Sequence, residues 1–286
     1  WVDAKLGAVA STPPLSEQIA TLQRLRNQDL EPDPEGSGAV RIKRGVARDR
    51  QVSISDPEMR HGRKTKSKRF NGYKSHIALD LDARVIWACA VTPANLPEGT
   101  AIESLKSDLG KLEVSEWHID RGYISASEIH AAHGAGMAVF CRPWRSKVPG
   151  RFGKEDFRFN FRKKTVTCPQ AVTIPIQLGT RAKFPADACA ACPRREQCTR
   201  SSSGRSLNIL ADEPLQHQLR REVAKPEGRE QLRQRVAIEH RLAHHAQKQG
   251  RKARYLGKRN NVFDSRRYAA VLNLEVAHST DRAIAA

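Results

Sequence analysis

Apolar residues recur at helical spacing at Leu15, Ile19, Leu22 and Leu25, directly after Pro13–Pro14, and predict a packing helix within the first 30 residues. Residues 31–39 then turn to Pro, Gly and acidic types and read as a linker. Weak alternation over 40–55 predicts one or two short strands. The clearest strand signal is FNGYKSHIALDLDARVIWACAVTPAN, where two β-rich runs flank Asp80–Ala83 as an antiparallel hairpin. Ile102, Leu105, Leu109 and Leu112 predict a helix over 99–112. In VSEWHIDRGY (114–123) an alternating run ends on Ile119, Asp120 follows, and Arg121–Gly122 break the strand. Beyond it the pattern predicts a helix over 125–134, a short buried strand over 137–144 and a partly extended stretch over 145–165. A long helical stretch is expected from about Pro214 to Gln249, and a closing helix carries Tyr268, Val271, Leu272 and Leu274.

These elements make an α/β protein. A core over 40–145 and 214–280 follows an amino-terminal helical segment and linker (1–39), and a cysteine-containing insertion (146–213) interrupts it. In an open α/β sheet, ligands and reacting groups collect at the carboxyl ends of strands. Asp120 stands at such an end, although Asp is equally favoured as a turn former or helix cap. On the long helix, Leu232, Arg235, Glu239, Leu242 and Ala246 fall three or four residues apart and share one face. A plain surface ion pair between Arg235 and Glu239 would contribute a few tenths of a kcal/mol. The otherwise apolar face instead predicts that the pair points inward or at a cleft edge. Two carboxylates so placed suit Mg²⁺, which takes one or two and fills its other positions with water and phosphate oxygens. Two such ions could serve phosphodiester chemistry.

Charge narrows the partner. Fifty Lys and Arg against thirty-one Asp and Glu give +19, with an isoelectric point near 10.1 and a mean hydropathy of −0.61. Self-repulsion of that size calls for an anionic partner, and nucleic acid is the commonest. Six Lys or Arg crowd into RHGRKTKSKR: Arg60, Arg63, Lys64, Lys66, Lys68 and Arg69. Phe70, Tyr73 and Lys74 adjoin them, and Arg251, Lys252, Arg254, Lys258 and Arg259 form a second run. These are the candidate phosphate contacts, with a solvated loop as the plain alternative. No apolar run is long enough to span a bilayer and no signal-peptide pattern is present, so a soluble intracellular protein is expected.

Four of the six cysteines fall in 168–198. Cys189 and Cys192 make a CxxC pair which, with Cys168 and Cys198, predicts a tetrahedral structural zinc site, the alternative being free or redox-active thiols. Cys89 and Cys141 read as small buried hydrophobes. His240 and His244 are i,i+4 neighbours, read as solvated helix histidines, and HExxH is absent.

Several motifs then add up in order: DPEMRHGRKTKSKRFNGYKSHIALDLD, VTPANLPEG, HIDRGY, TCPQ, CAACPRREQC and RQRVAIEHRLAHHAQKQGRKARY. From about Asp29 to Leu274 the chain resembles the DDE transposases of bacterial insertion sequences. The resemblance implies a ribonuclease H-like fold and an endonuclease dependent on Mg²⁺ (or Mn²⁺) that cuts and rejoins double-stranded DNA at element ends. It further implies a homodimer when active and a bacterial, cytoplasmic, nucleoid-associated location. Asp120 of HIDRGY falls on the family's second catalytic Asp, Glu239 on its final Glu, and Arg235 on the Arg of its Y-x2-R-x3-E helix. Leu232 stands where that Tyr belongs, and Ala246 where many members carry Lys, with Lys248 nearby. The first Asp belongs on a strand upstream of the DPE motif, and no residue here matches it. Asp3 of VDA precedes a helix-like segment, and neither Asp56 nor Asp80 is assigned. The expectation is an amino-terminally truncated transposase or a fragment of one. Its alternatives are a catalytically inactive DNA-binding remnant and a zinc-ribbon protein whose charge serves RNA.

Overall fold

The computed structural model describes residues 12–34, 38–65, 67–144, 149–250 and 252–284. The amino-terminal helix expectation over residues 1–11, Asp3, part of the linker, Lys66 and Arg251 lie outside them. In chain order the elements are α1 (Leu15–Asn27), β1 (Leu30–Pro32), β2 (Val40–Ile42), β3 (Arg60–Arg63), β4 (Arg69–Leu79), β5 (Ile86–Pro93) and α2 (Ile102–Leu109). Then come β6 (Glu116–His118), α3 (Ser127–Gly134), β7 (Ala138–Phe140), β8 (Arg158–Asn160), β9 (Thr165–Thr167), β10 (Thr173–Pro175) and β11 (Arg181–Lys183). α4 (Ala186–Ala190), α5 (Arg195–Cys198), β12 (Ser206–Asn208), α6 (Glu213–Ala224), α7 (Pro226–Gln249) and α8 (Lys258–Ile284) complete the chain. The result is a mixed α/β protein with antiparallel and parallel sheets. It divides into two compact units, residues 1–112 with 237–286, and residues 113–236.

The first unit is built on the antiparallel sheet β3-β4-β5. The basic run, for which a solvated loop was the plain alternative, is a hairpin: Arg60–Arg63 pair with Arg69–Gly72. An edge strand needs only its backbone to pair, and charged side chains there discourage further association. Gly62 is required by close approach, because a Cβ would stand 2.2 Å from the Ala94 carbonyl oxygen. Five consecutive residues of β5, from Ala88 to Thr92, are buried, with α2 and α8 packed against the strand. Ile86 and Cys89 of β5 form one cluster with Ala269 and Leu272 of α8. Asn273 secures the strand's end, donating to the Ile86 carbonyl at 2.9 Å and accepting from the Ile86 N–H at 2.8 Å. The carboxylate of the buried Asp56 accepts from the Tyr73 hydroxyl (2.7 Å), the Glu58 N–H (3.2 Å) and the Gly257 N–H (3.0 Å). Burial, with Asp56 beside it, raises the Tyr73 phenol above its ordinary value.

The second unit contains the parallel pair β6–β7, in which Trp117 faces Val139, and the cysteine-bearing region. There the strands run β10-β9-β8, and register aligns Phe159, Val166 and Ile174 in one row. Strand alternation turns that row toward one face. Val166 and Ile174 join Phe157, Ile176, Ala182, Phe184, Leu207 and Ile209 in a separate core. Next to it the fully buried Glu213 is held by Lys154, by Arg220 at 2.8 Å and by the Leu210 N–H at 3.0 Å. The helical stretch expected over 214–249 is made of two helices. Lys225 is extended with ψ 150°, the conformation that a residue preceding proline prefers, and Pro226 then opens α7.

Candidate active site

Asp120 lies just past β6. Ile119 still donates its N–H to the Phe140 carbonyl at 3.0 Å, and the chain then turns through the 3₁₀ segment Arg121–Tyr123. Asp120 caps that turn, its Oδ1 accepting from the Arg121 N–H at 2.6 Å. Asp120 therefore caps the turn while its carboxylate remains 62% exposed. Arg235 Nη2 stands 3.6 Å from the same oxygen, with its own side chain only 14% exposed. The sequence did not anticipate this meeting of Arg235 with Asp120. The buried Cys141 thiol is close enough to sense Asp120, Arg121 and Arg235, and burial pushes it up to about 12. It behaves as the buried small residue expected.

Two neighbours escaped sequence reading. Arg121, taken only as a strand breaker, places its guanidinium 5.2 Å from the centre of the Trp144 ring. Trp144, taken as the end of a buried strand, is 48% exposed. Its backbone N–H donates to the fully buried Gln216 at 3.1 Å, and Gln216 also donates to Asp212 at 2.9 Å. An aromatic directly after Arg-Pro, where no strand can continue, was the available signal.

Glu239 lies on α7, one turn after Arg235, and belongs to the first unit. It is exposed and Arg235 half-buried, so of the two expected placements, inward or at a cleft edge, the inward one does not hold for Glu239. The reason is a sparse apolar stripe: Leu232 and Leu242 are themselves only half-buried. His240 and His244 are exposed as expected, whereas His245 is buried and its Nε2 meets the Ser265 carbonyl at 2.8 Å. Among the basic residues, Arg63, Lys64, Lys68, Arg69, Lys252, Arg254, Lys258 and Arg259 are exposed. Arg60 is bound to Asp49 at 2.8 Å, and Lys74 donates to the Leu96 carbonyl at 2.8 Å. Arg254 donates to the Tyr268 hydroxyl at 2.8 Å.

The expected tetrahedral zinc site is not found. Among the described residues no three His, Cys, Asp or Glu side chains group as a metal-holding set. Cys168, Cys189 and Cys198 instead pack against the apolar core of their region, and all four cysteines are free thiols. Burial, with the neighbouring thiols adding to it, raises Cys198 against the opposing pull of Arg205.

Residues 167–278 match the family described as transposase DDE domain. The span of the match takes in the second part of the cysteine region, α6, α7 with Arg235 and Glu239, and most of α8, and it stops short of Asp120. No curated protein and no solved structure matches the chain. Among the described residues no helix is long and apolar enough to cross a membrane.

Proposed function

We propose that the protein is a DDE-type insertion-sequence transposase, or a fragment of one, that cuts double-stranded DNA at element ends and joins the freed ends to a target. The reading is carried by one observation: an exposed carboxylate at a strand end, Asp120, sits beside a largely buried guanidinium. It is supported by the transposase DDE domain match, which contains Glu239. On this reading the core is ribonuclease H-like, and Asp120 and Glu239 hold Mg²⁺ or Mn²⁺. Carboxylate oxygens are the hard donors these ions take. The bound ion would activate water and stabilise the leaving oxygen. Arg235 orients the Asp120 carboxylate and adds positive charge where a phosphodiester binds. Hydrolysis frees a 3′ hydroxyl, which then attacks target DNA. The exposed basic residues hold the phosphate backbone, two copies handle two ends, and the work is done at the bacterial nucleoid.

A second reading, a DNA-binding remnant without cleavage, is favoured by the two nearest substitutes for a first catalytic Asp. The Asp56 carboxylate is occupied within the fold, and Asp80 caps its own turn by accepting from the Asp82 and Ala83 N–H groups, both at 2.9 Å. Plasmid nicking with Mg²⁺, read alongside DNA binding, separates the two. Cleavage that disappears in Asp120→Ala supports the transposase, while binding without cleavage supports the remnant. A chain that binds no DNA at low salt overturns both.

A further inference from the structure

We propose that Glu58, with the buried Asp56 behind it, is a positioning residue for DNA: it fixes the turn that carries the second basic run and ties that run to the first. The proposal rests on the reading of the exposed basic residues as phosphate contacts, and it gives a task to two acidic residues set among them. Glu58 is exposed, and its Oε2 accepts the Lys258 N–H at 2.6 Å. Asp56 accepts the adjoining Gly257 N–H at 3.0 Å. These are orphan donors at the start of α8, so two neighbouring carboxylates cap a helix 200 residues further along the chain. Gly257 is required there, because its φ is +78° and a Cβ would stand 3.2 Å from the Glu58 Oε2. The carbonyl side of the turn is held by the buried Asn261, whose amide donates to the Tyr255 and Gly257 carbonyls, both at 2.7 Å.

Core packing does not account for this fastening. The large apolar side chains of the turn lie open, Tyr255 at 43% and Leu256 at 57% exposure. What the turn presents is charge: Lys252, Arg254, Lys258 and Arg259 are all exposed. A cation on a fixed backbone loses less freedom when it meets a phosphate than one on a loose loop. From the same acidic turn the chain runs straight into β3, where Arg60 donates back to the Pro57 carbonyl and the exposed Arg63 and Lys64 follow. Glu58 to Lys64 is about 20 Å of chain at full stretch. The two basic runs therefore lie within reach of one turn of duplex, about 34 Å. By simple charge a carboxylate here opposes phosphate binding, so the two roles predict opposite signs.

The test compares the full chain with Glu58→Ala and Glu58→Gln. Glu58 is exposed, so both variants should fold, and melting temperatures check this. Duplex affinity is followed across a salt series by anisotropy of labelled DNA, and hydrogen exchange follows the Lys258 amide. If only charge counts, both variants bind more tightly than the unaltered chain. Positioning predicts that Glu58→Ala binds about three- to fivefold more weakly at low salt, with a log–log salt slope shallower by about 1 and faster exchange at Lys258. Glu58→Gln, whose side-chain carbonyl still accepts the Lys258 N–H, should bind at least as tightly as the unaltered chain. Undiminished binding or unchanged Lys258 exchange in Glu58→Ala, or an equal loss of affinity in both variants, overturns the positioning role and leaves the transposase reading standing. If the unaltered chain binds no duplex at low salt, the transposase reading falls first and the positioning role with it.

Discussion

At the scale of single residues, Asp120 shows what a sequence can and cannot disclose. Its position was legible because an alternating run ends just before it and Arg121–Gly122 stop the strand. Its relation to Arg235 was not, because 115 residues separate them and no local pattern encodes that meeting. The same limit hid His76, read only as one position in a β-rich run. It is buried in β4, its Nε2 within 2.9 Å of the Thr92 hydroxyl. Burial, helped by the charge of Lys74, lowers it to about 4 from an ordinary value of 6.5. Below pH 6.5 the unfolded chain therefore takes up a proton that the folded chain refuses. Stability is complete above that pH and is lost as pH falls through the window down to about 4. Urea unfolding at pH 7 and pH 5 should differ by about 2 kcal/mol from this residue. His76→Gln should remove that part of the difference, and an unchanged pH dependence in the variant would show that other groups cause it.

At the scale of elements, the hairpin about Asp80–Ala83, the helix after Glu98 and the strand before Asp120 were readable because their apolar periodicity is undiluted. Two features were not legible, for physical reasons. The charged run Arg60–Arg63 hides a strand, since backbone pairing at a sheet edge leaves no apolar alternation behind. The helix over 214–249 was read through Pro226, although proline fixes its own φ and pushes Lys225 into extended backbone. Long-range side-chain caps are equally silent in sequence. Asn273, on α8, closes both backbone groups of Ile86 on β5, 187 residues away. Asn273→Leu keeps the branched shape but leaves a buried donor and acceptor unmet. It should lower unfolding free energy by about 1–3 kcal/mol, visible as a reduced urea midpoint with an unchanged slope. A wild-type midpoint would mean that water or another group replaces the amide.

At the scale of the whole molecule, the charge of +19 was the most legible property of the chain. Which cations carry it to a partner could not be read, because a bonded arginine and a free one look alike in a list of residues. The structure separates them. Arg60 is held by Asp49 and by the Met59 carbonyl at 3.0 Å, whereas Lys64 and Lys68 are exposed on the turn between β3 and β4. Each phosphate neutralised by a free cation releases condensed counterions, so binding weakens with salt by about 0.9 in log–log slope per contact. The double variant Lys64→Ala/Lys68→Ala should therefore bind duplex DNA more weakly at low salt, with a slope shallower by about 2. Arg60→Ala should leave the slope unchanged and lower thermal stability instead, because its guanidinium is spent inside the protein. The contrast is the measurement: DNA affinity across a salt series for both variants, beside their melting temperatures. If Arg60→Ala flattens the slope and the lysine pair does not, the phosphate-binding face lies elsewhere than on this hairpin turn.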